Sequence, residues 1–129
     1  MGTCGVIFIS HRGNIKGPSP SKENHPDYII SACKLGFDVE IDVWHRDGKF
    51  ILGHDKPQYE VDCDFLKNNS FWCHAKNIEA LQVMRNNKIH CFWHQNDDVV
   101  LTSRGFLWTY PGKTLFDLSI CVMPENYKY

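Results

Sequence analysis

Two hydrophobic periods alternate along this chain. Val6 to Ser10 is a short β-rich run and predicts a first strand. Asn14 to Glu23 carries Gly17, Pro18, Ser19, Pro20 and Ser21 and predicts a loop. His25-Pro26-Asp27 then opens a helix, with Pro26 early in the first turn. Tyr28, Ile29, Ala32, Cys33 and Leu35 supply its apolar face, and Gly36 its end. Val39 to Trp44 returns to the strand period. Arg46-Asp47-Gly48-Lys49 predicts a tight turn and Phe50 to Leu52 a returning strand, so this region reads as a hairpin.

Residues 55–61 are mostly polar and read as a connection, and Asp64 to Asn68 as one helical turn. Phe71 to Ala75 is the next strand. Asn77 caps a helix over Ile78 to Arg85, with Ile78, Leu81, Val83 and Met84 apolar. Ile89 to Trp93, Phe106 to Thr109 and Ser119 to Val122 complete the strand-like runs, with a loop opening at Asp97-Asp98. Strands alternating with helices early, then strands on short connections, predict an α/β chain with a largely parallel sheet.

The 129 residues, 43% of them apolar, suffice for one core, and 1–129 reads as a single domain. The net charge is −1 with histidines neutral, and no basic stripe occurs. Nucleic acid is therefore not expected as a partner. No apolar run approaches the roughly 18 residues of a spanning helix. The first ten residues read as a strand and not as a signal peptide, and that strand argues against lipidation at Gly2 or Cys4. Six cysteines, none in a C-x-x-C pair, sit largely in apolar runs as buried thiols do. The expectation is a reduced, cytoplasmic protein.

Candidate chemistry concentrates at strand ends. Alternation puts Glu40 and Asp42 on one side of their strand and Val39, Ile41 and Val43 on the other. Taken alone, this fits a strand with one solvated face as well as a site for a hard divalent cation. His11 ends the first strand and can exchange protons near neutral pH, while Arg12 can hold phosphate oxygens. His54 ends the hairpin in the same way. Two such histidines suit a mechanism that deprotonates a nucleophile and protonates a leaving oxygen. His74 and Lys76 share a face of the next strand; His74 could complete a metal shell, and Lys76 neutralise a phosphoryl oxygen. His94 ends another strand near the same pocket. His25 and His45 read as surface residues, and Trp44, Trp72, Trp93 and Trp108 chiefly as packing.

Together these segments resemble the glycerophosphodiester phosphodiesterase family. The resemblance rests on His11-Arg12-Gly13, Glu23-Asn24, Gly36-Phe37-Asp38-Val39-Glu40-Ile41-Asp42-Val43, Asp47-Gly48 and Gly53-His54-Asp55, in that order. Downstream it is limited to His74-Ala75-Lys76 and the strand rhythm. It implies a (β/α) barrel with its site at the C-terminal strand ends. It also implies a divalent cation on Glu40 and Asp42, His11 and His54 as acid and base, and Arg12 near the phosphate. Mg²⁺ is the expected ion, with Mn²⁺ and Ca²⁺ as alternatives, and a small phosphodiester is the expected substrate. The products would be a phosphomonoester and an alcohol, or a cyclic phosphate where a substrate hydroxyl attacks.

Two features depart from the family. His74 stands where a third acidic ligand is usual, which would suit Mn²⁺ or Zn²⁺ better than Ca²⁺. A full barrel takes about 250 residues, so the expected fold is a reduced TIM-like (β/α) barrel with several helices trimmed to loops. Sheet left bare by that trimming could be covered by a second copy of the chain in a homo-oligomer. The rival reading is a catalytically impaired barrel that binds a phosphate-bearing ligand or a protein.

Overall fold

A computed structural model describes residues 7–122. The expected strand start at Val6, and Gly2 and Cys4, lie outside these residues. The central element is β2 (Asp38–Arg46). Parallel to the first part of β2 runs β1 (Ile9–His11), in register Ile9 to Asp38 and His11 to Glu40. On the same edge, further along, the hairpin strand β3 (Lys49–Leu52) pairs antiparallel with residues 43–46, and β4 (Tyr59–Val61) pairs with β3. The other edge of β2 carries β5 (Phe71–Ala75) and then β6 (Cys91–Phe92), both parallel. A second sheet holds β7 (Val99–Leu101), β8 (Leu107–Thr109) and β9 (Ser119–Cys121), with β8 in the middle.

Helix α1 (Pro26–Lys34) links β1 to β2. His25 caps it by accepting the Asp27 amide on Nδ1, and Pro26 sits in the first turn, where its missing N–H costs nothing. The single turn α2 (Cys63–Leu66) is capped by Asp62 and leads into β5. Helix α3 (Ile78–Asn86) links β5 to β6, capped by Asn77 Oδ1 accepting the Ala80 amide at 3.0 Å.

Alternation along the strands sorts two cores. Val39, Ile41 and Val43 of β2 and Phe71, Cys73 and Ala75 of β5 pack with Ile29 and Ala32 of α1 and Ala80 and Met84 of α3. On the opposite face Trp72 and Phe92 pack with Trp108 of β8, which seats the second sheet there. The main sheet therefore lies between two helices and a three-stranded sheet.

The expected reduced (β/α) barrel is not formed. The sheets are mixed and open, and the three helices of the described residues are short. The tight turn at Asp47-Gly48 sends the chain straight back along β2, so antiparallel β3 and β4 extend that edge. On the other side the sheet stops at β6, and the strands after it pair with one another. Closure needs a continuous ring of tilted strands, whereas among the described residues β4 and β6 remain edges. Two strands also escaped the hydrophobic pattern: β4 lies in the polar stretch, and β7 follows Asp97-Asp98. Among the described residues, no helix is long and apolar enough to cross a membrane.

Candidate metal and phosphate site

Both faces of β2 are buried. Glu40 is 4% exposed and Asp42 1%, so the solvated-face reading of their alternation fails. Two neighbouring buried carboxylates repel each other and lose hydration. Burial, and then the charge of Asp42, push the Glu40 carboxyl well above its ordinary range, against Arg12 and Lys76. At Asp42 burial acts in the same direction but is outweighed by hydrogen bonds from His74 and Asn24 and by the Arg12 charge, which hold its carboxyl low.

The surroundings are built mainly from turns. Arg12 follows β1 at φ 58° and donates its amide to the Glu40 carbonyl at 2.8 Å. Gly13 continues the turn at φ 94°, where a Cβ would lie 2.7 Å from Tyr28 Cδ2 and 3.3 Å from the Ile29 nitrogen. Only glycine lets the turn pass under α1. The guanidinium thereby folds back over the carboxylates. Its Nη1 donates to Glu23 Oε1 at 3.0 Å and its Nη2 lies 2.7 Å from His54 Nδ1. Nε is 3.1 Å from Asp42 Oδ2 but lacks hydrogen-bond alignment. Glu23 is itself fixed by the Ser19 amide at 2.8 Å.

His54 is placed by Gly53, whose amide donates to the Asp42 carbonyl and whose carbonyl accepts Trp44 Nε1 at 2.7 Å. A Cβ on Gly53 would fall 1.9 Å from the Lys56 carbonyl oxygen. His54 Nδ1 comes within 3.4 Å of Asp42 Oδ2. His11, opposite Glu40 in the ladder, has its Nε2 3.8 Å from Glu40 Oε1 and a side chain 62% exposed. Partial burial, and then the Arg12 charge, hold its imidazole below the ordinary value.

β1 ends opposite Glu40, and the antiparallel β3 ends with Leu52 opposite Val43. The strand edge between them is filled by a side chain. Asn24, 1% exposed and at φ 65°, accepts the Asp42 amide on Oδ1 and donates from Nδ2 to Asp42 Oδ2, both at 2.9 Å. Asn24 stood within a resembling segment, but no local pattern announces its role. Asparagine tolerates a left-handed backbone, which only the fold makes visible.

His74 pairs with Asp42 across β2 and β5. Its Nδ1 lies 3.3 Å from Asp42 Oδ1 and 3.9 Å from Glu40 Oε2. Facing two carboxylates, this nitrogen either carries a proton or shares a cation with them. Glu40, Asp42 and His74 offer three ligand atoms within 4.8 Å of one another. Among the described residues, Glu40 Oε1 is buried without a hydrogen-bond partner, an arrangement that costs free energy unless something else meets the oxygen. This donor set fits a divalent cation.

His11, Arg12, Glu40, Asp42, His54 and His74 are thus brought together. Lys76 follows β5, half-buried, and its charge acts on Glu40. His94 contributes its carbonyl, 3.3 Å from His74 Nε2. His45 lies elsewhere. It was expected on the surface but is 8% exposed and paired with Glu79 at 2.9 Å, because it sits on the helix-facing side of β2. A groove of about 310 Å³ opens beside Arg12, Glu23, Asn24, His54 and Lys56. Among known proteins, no family model, curated protein or solved structure matches this chain.

Proposed function

We propose that this protein is a metal-dependent phosphodiesterase acting on a glycerophosphodiester-like substrate. The observation that carries the reading is the orphaned, buried Glu40 Oε1 beside Asp42, with a histidine on either flank. The ordered resemblance of the first half of the chain to glycerophosphodiester phosphodiesterases supports it. Glu40, Asp42 and His74 would hold a divalent cation, which supplies Lewis-acid polarisation of the phosphoryl group. In the groove, Arg12, His54 and Lys56 offer donors to a phosphate, alongside the acidic Glu23 and Asp55.

His11 and His54 divide the proton transfers. One takes a proton from the attacking water or substrate hydroxyl, and the other gives one to the departing alcohol oxygen. Arg12 can only donate, and its Nη2 lies 2.7 Å from His54 Nδ1 and 3.2 Å from Nε2, close against the ring. Arg12 thus orients His54 and also brings positive charge towards the phosphate. Water attack yields a phosphomonoester and an alcohol; attack by a neighbouring substrate hydroxyl yields a cyclic phosphate and an alcohol. A reduced, cytoplasmic setting is part of the same reading, resting on cysteines placed in apolar runs of the sequence.

The test is release of alcohol from glycerophosphodiesters and an aryl phosphodiester over a panel of divalent cations. We expect EDTA-sensitive cleavage that His11→Ala and His54→Ala each lower by about 10²–10⁴-fold. Inactivity across the panel, or His11→Ala cleaving like the parent, overturns the reading.

A further inference from the structure

We propose that His74 ligates through Nδ1, and that this nitrogen makes the Glu40–Asp42–His74 site select a borderline transition-metal dication of the Mn²⁺ to Zn²⁺ series over Mg²⁺ and Ca²⁺. The inference rests on the metal-dependent reading above and specifies the ion.

The direction of the His74 ring is set from two sides. A backbone carbonyl can only accept, so the contact of Nε2 with the His94 carbonyl at 3.3 Å puts a hydrogen on Nε2. Nδ1 is then the nitrogen left to ligate, and it is the one turned towards Asp42 and Glu40. One ring face stacks on Phe92, with centroids 5.1 Å apart and planes 3° apart. A ring held by a carbonyl on one nitrogen is the usual support of a metal-ligating histidine. The strand register fixes its height, because His74 lies directly opposite Asp42.

The donor set decides the ion class. Ca²⁺ seeks six to eight oxygens, and Mg²⁺ an octahedron of oxygens with several retained waters. Here one of three protein donors is an imidazole, which suits the later first-row dications. The Glu40 carboxylate is the second, independent sign of a ligand: it is buried, its Oε2 lies 3.9 Å from His74 Nδ1, and its Oε1 has no hydrogen-bond partner among the described residues, the nearest ionisable group being His11 Nε2 at 3.8 Å.

Transition dications outbind Mg²⁺ at most sites, so the informative quantity is how far His74 sets the ratio. Calorimetry on the full chain would give affinities for Zn²⁺ and Mg²⁺ in the parent and in His74→Glu. We expect the Zn²⁺-to-Mg²⁺ affinity ratio to fall at least tenfold in the variant. In parallel, electron spin-echo spectra of bound Mn²⁺ should show coupling to a ¹⁴N nucleus in the parent. That coupling should persist in His54→Gln and vanish in His74→Gln, which also serves should His74→Glu not fold. An oxygen-only spectrum, coupling that survives His74→Gln, an unchanged ratio, or a parent that binds neither ion overturns the proposal. Nitrogen coupling without cleavage of any diester would overturn the phosphodiesterase reading alone. Cleavage by a protein with an oxygen-only metal spectrum would overturn this inference alone.

Discussion

At the scale of single residues, the site depends on side chains that chemistry-based reading does not single out. Asn24 is the clearest. It bonds both the amide and the carboxylate of Asp42 from a buried position. Asn24→Ala should weaken divalent-cation binding about 10–100-fold, the usual effect of removing a group that orients a ligand. It should also cost roughly 1–3 kcal/mol of stability, because the Asp42 amide is left unpaired. Calorimetry and urea denaturation measure the two effects separately. A second buried residue ties stability to pH away from the site. His90 bonds Thr102 Oγ1 at 2.8 Å beside Trp72 and is held neutral. Burial, and then the Arg104 charge, lower its value from 6.5 to about 4. The unfolded chain therefore binds this proton first as pH falls. The His90 contribution is fully present above pH 6.5 and is lost progressively towards pH 4. Urea midpoints across that window should decline in the parent and decline less in His90→Leu.

At the scale of elements, two glycines separate turn from site. Gly48 completes the hairpin turn at φ 76° with none of the described residues within 4 Å of an added Cβ. Gly48→Ala should cost only the left-handed backbone penalty, about 1–2 kcal/mol, and leave metal binding intact. At Gly53 an added Cβ runs into the Lys56 backbone. Gly53→Ala must shift the segment that carries His54, so it should cost roughly 1–3 kcal/mol and lower activity as well. Thermal denaturation with a diester assay distinguishes the two. The hairpin itself was legible, because Asp47-Gly48 between apolar runs has few other solutions. So were β2, β5 and the capped helices. β4 was not, since Tyr59, Glu60 and Val61 are all partly or fully exposed on an edge and leave little periodic trace. β7 was hidden for the same reason, with Val99 and Leu101 exposed.

At the scale of the whole molecule, the barrel expectation came from the resemblance, and pairing overruled it. Periodicity marks strands but not their neighbours. The partners of residues 99–121 are fixed by Trp108 packing onto Trp72 and Phe92, a contact with no local signal. The candidate site residues come together because they lie on, or just after, strands that the sequence could place. The second sheet also bears on the site: His74 stacks on Phe92, which stacks on Trp108 with centroids 4.8 Å apart. Trp108→Ala should cost about 3–5 kcal/mol and loosen cation binding with no ligand touched, as denaturation and calorimetry together would record. The interval on the β2 edge between β1 and β3 has a consequence in time. The Asp42 amide is secured by a loop side chain and not by a neighbouring strand, so the sheet can be complete while the site is still open. Loop docking is then a separate, low-energy event. Its signature would be an Asp42 amide that exchanges with solvent deuterium faster than that of Val43 or Ile41, and that slows when a divalent cation locks the loop down.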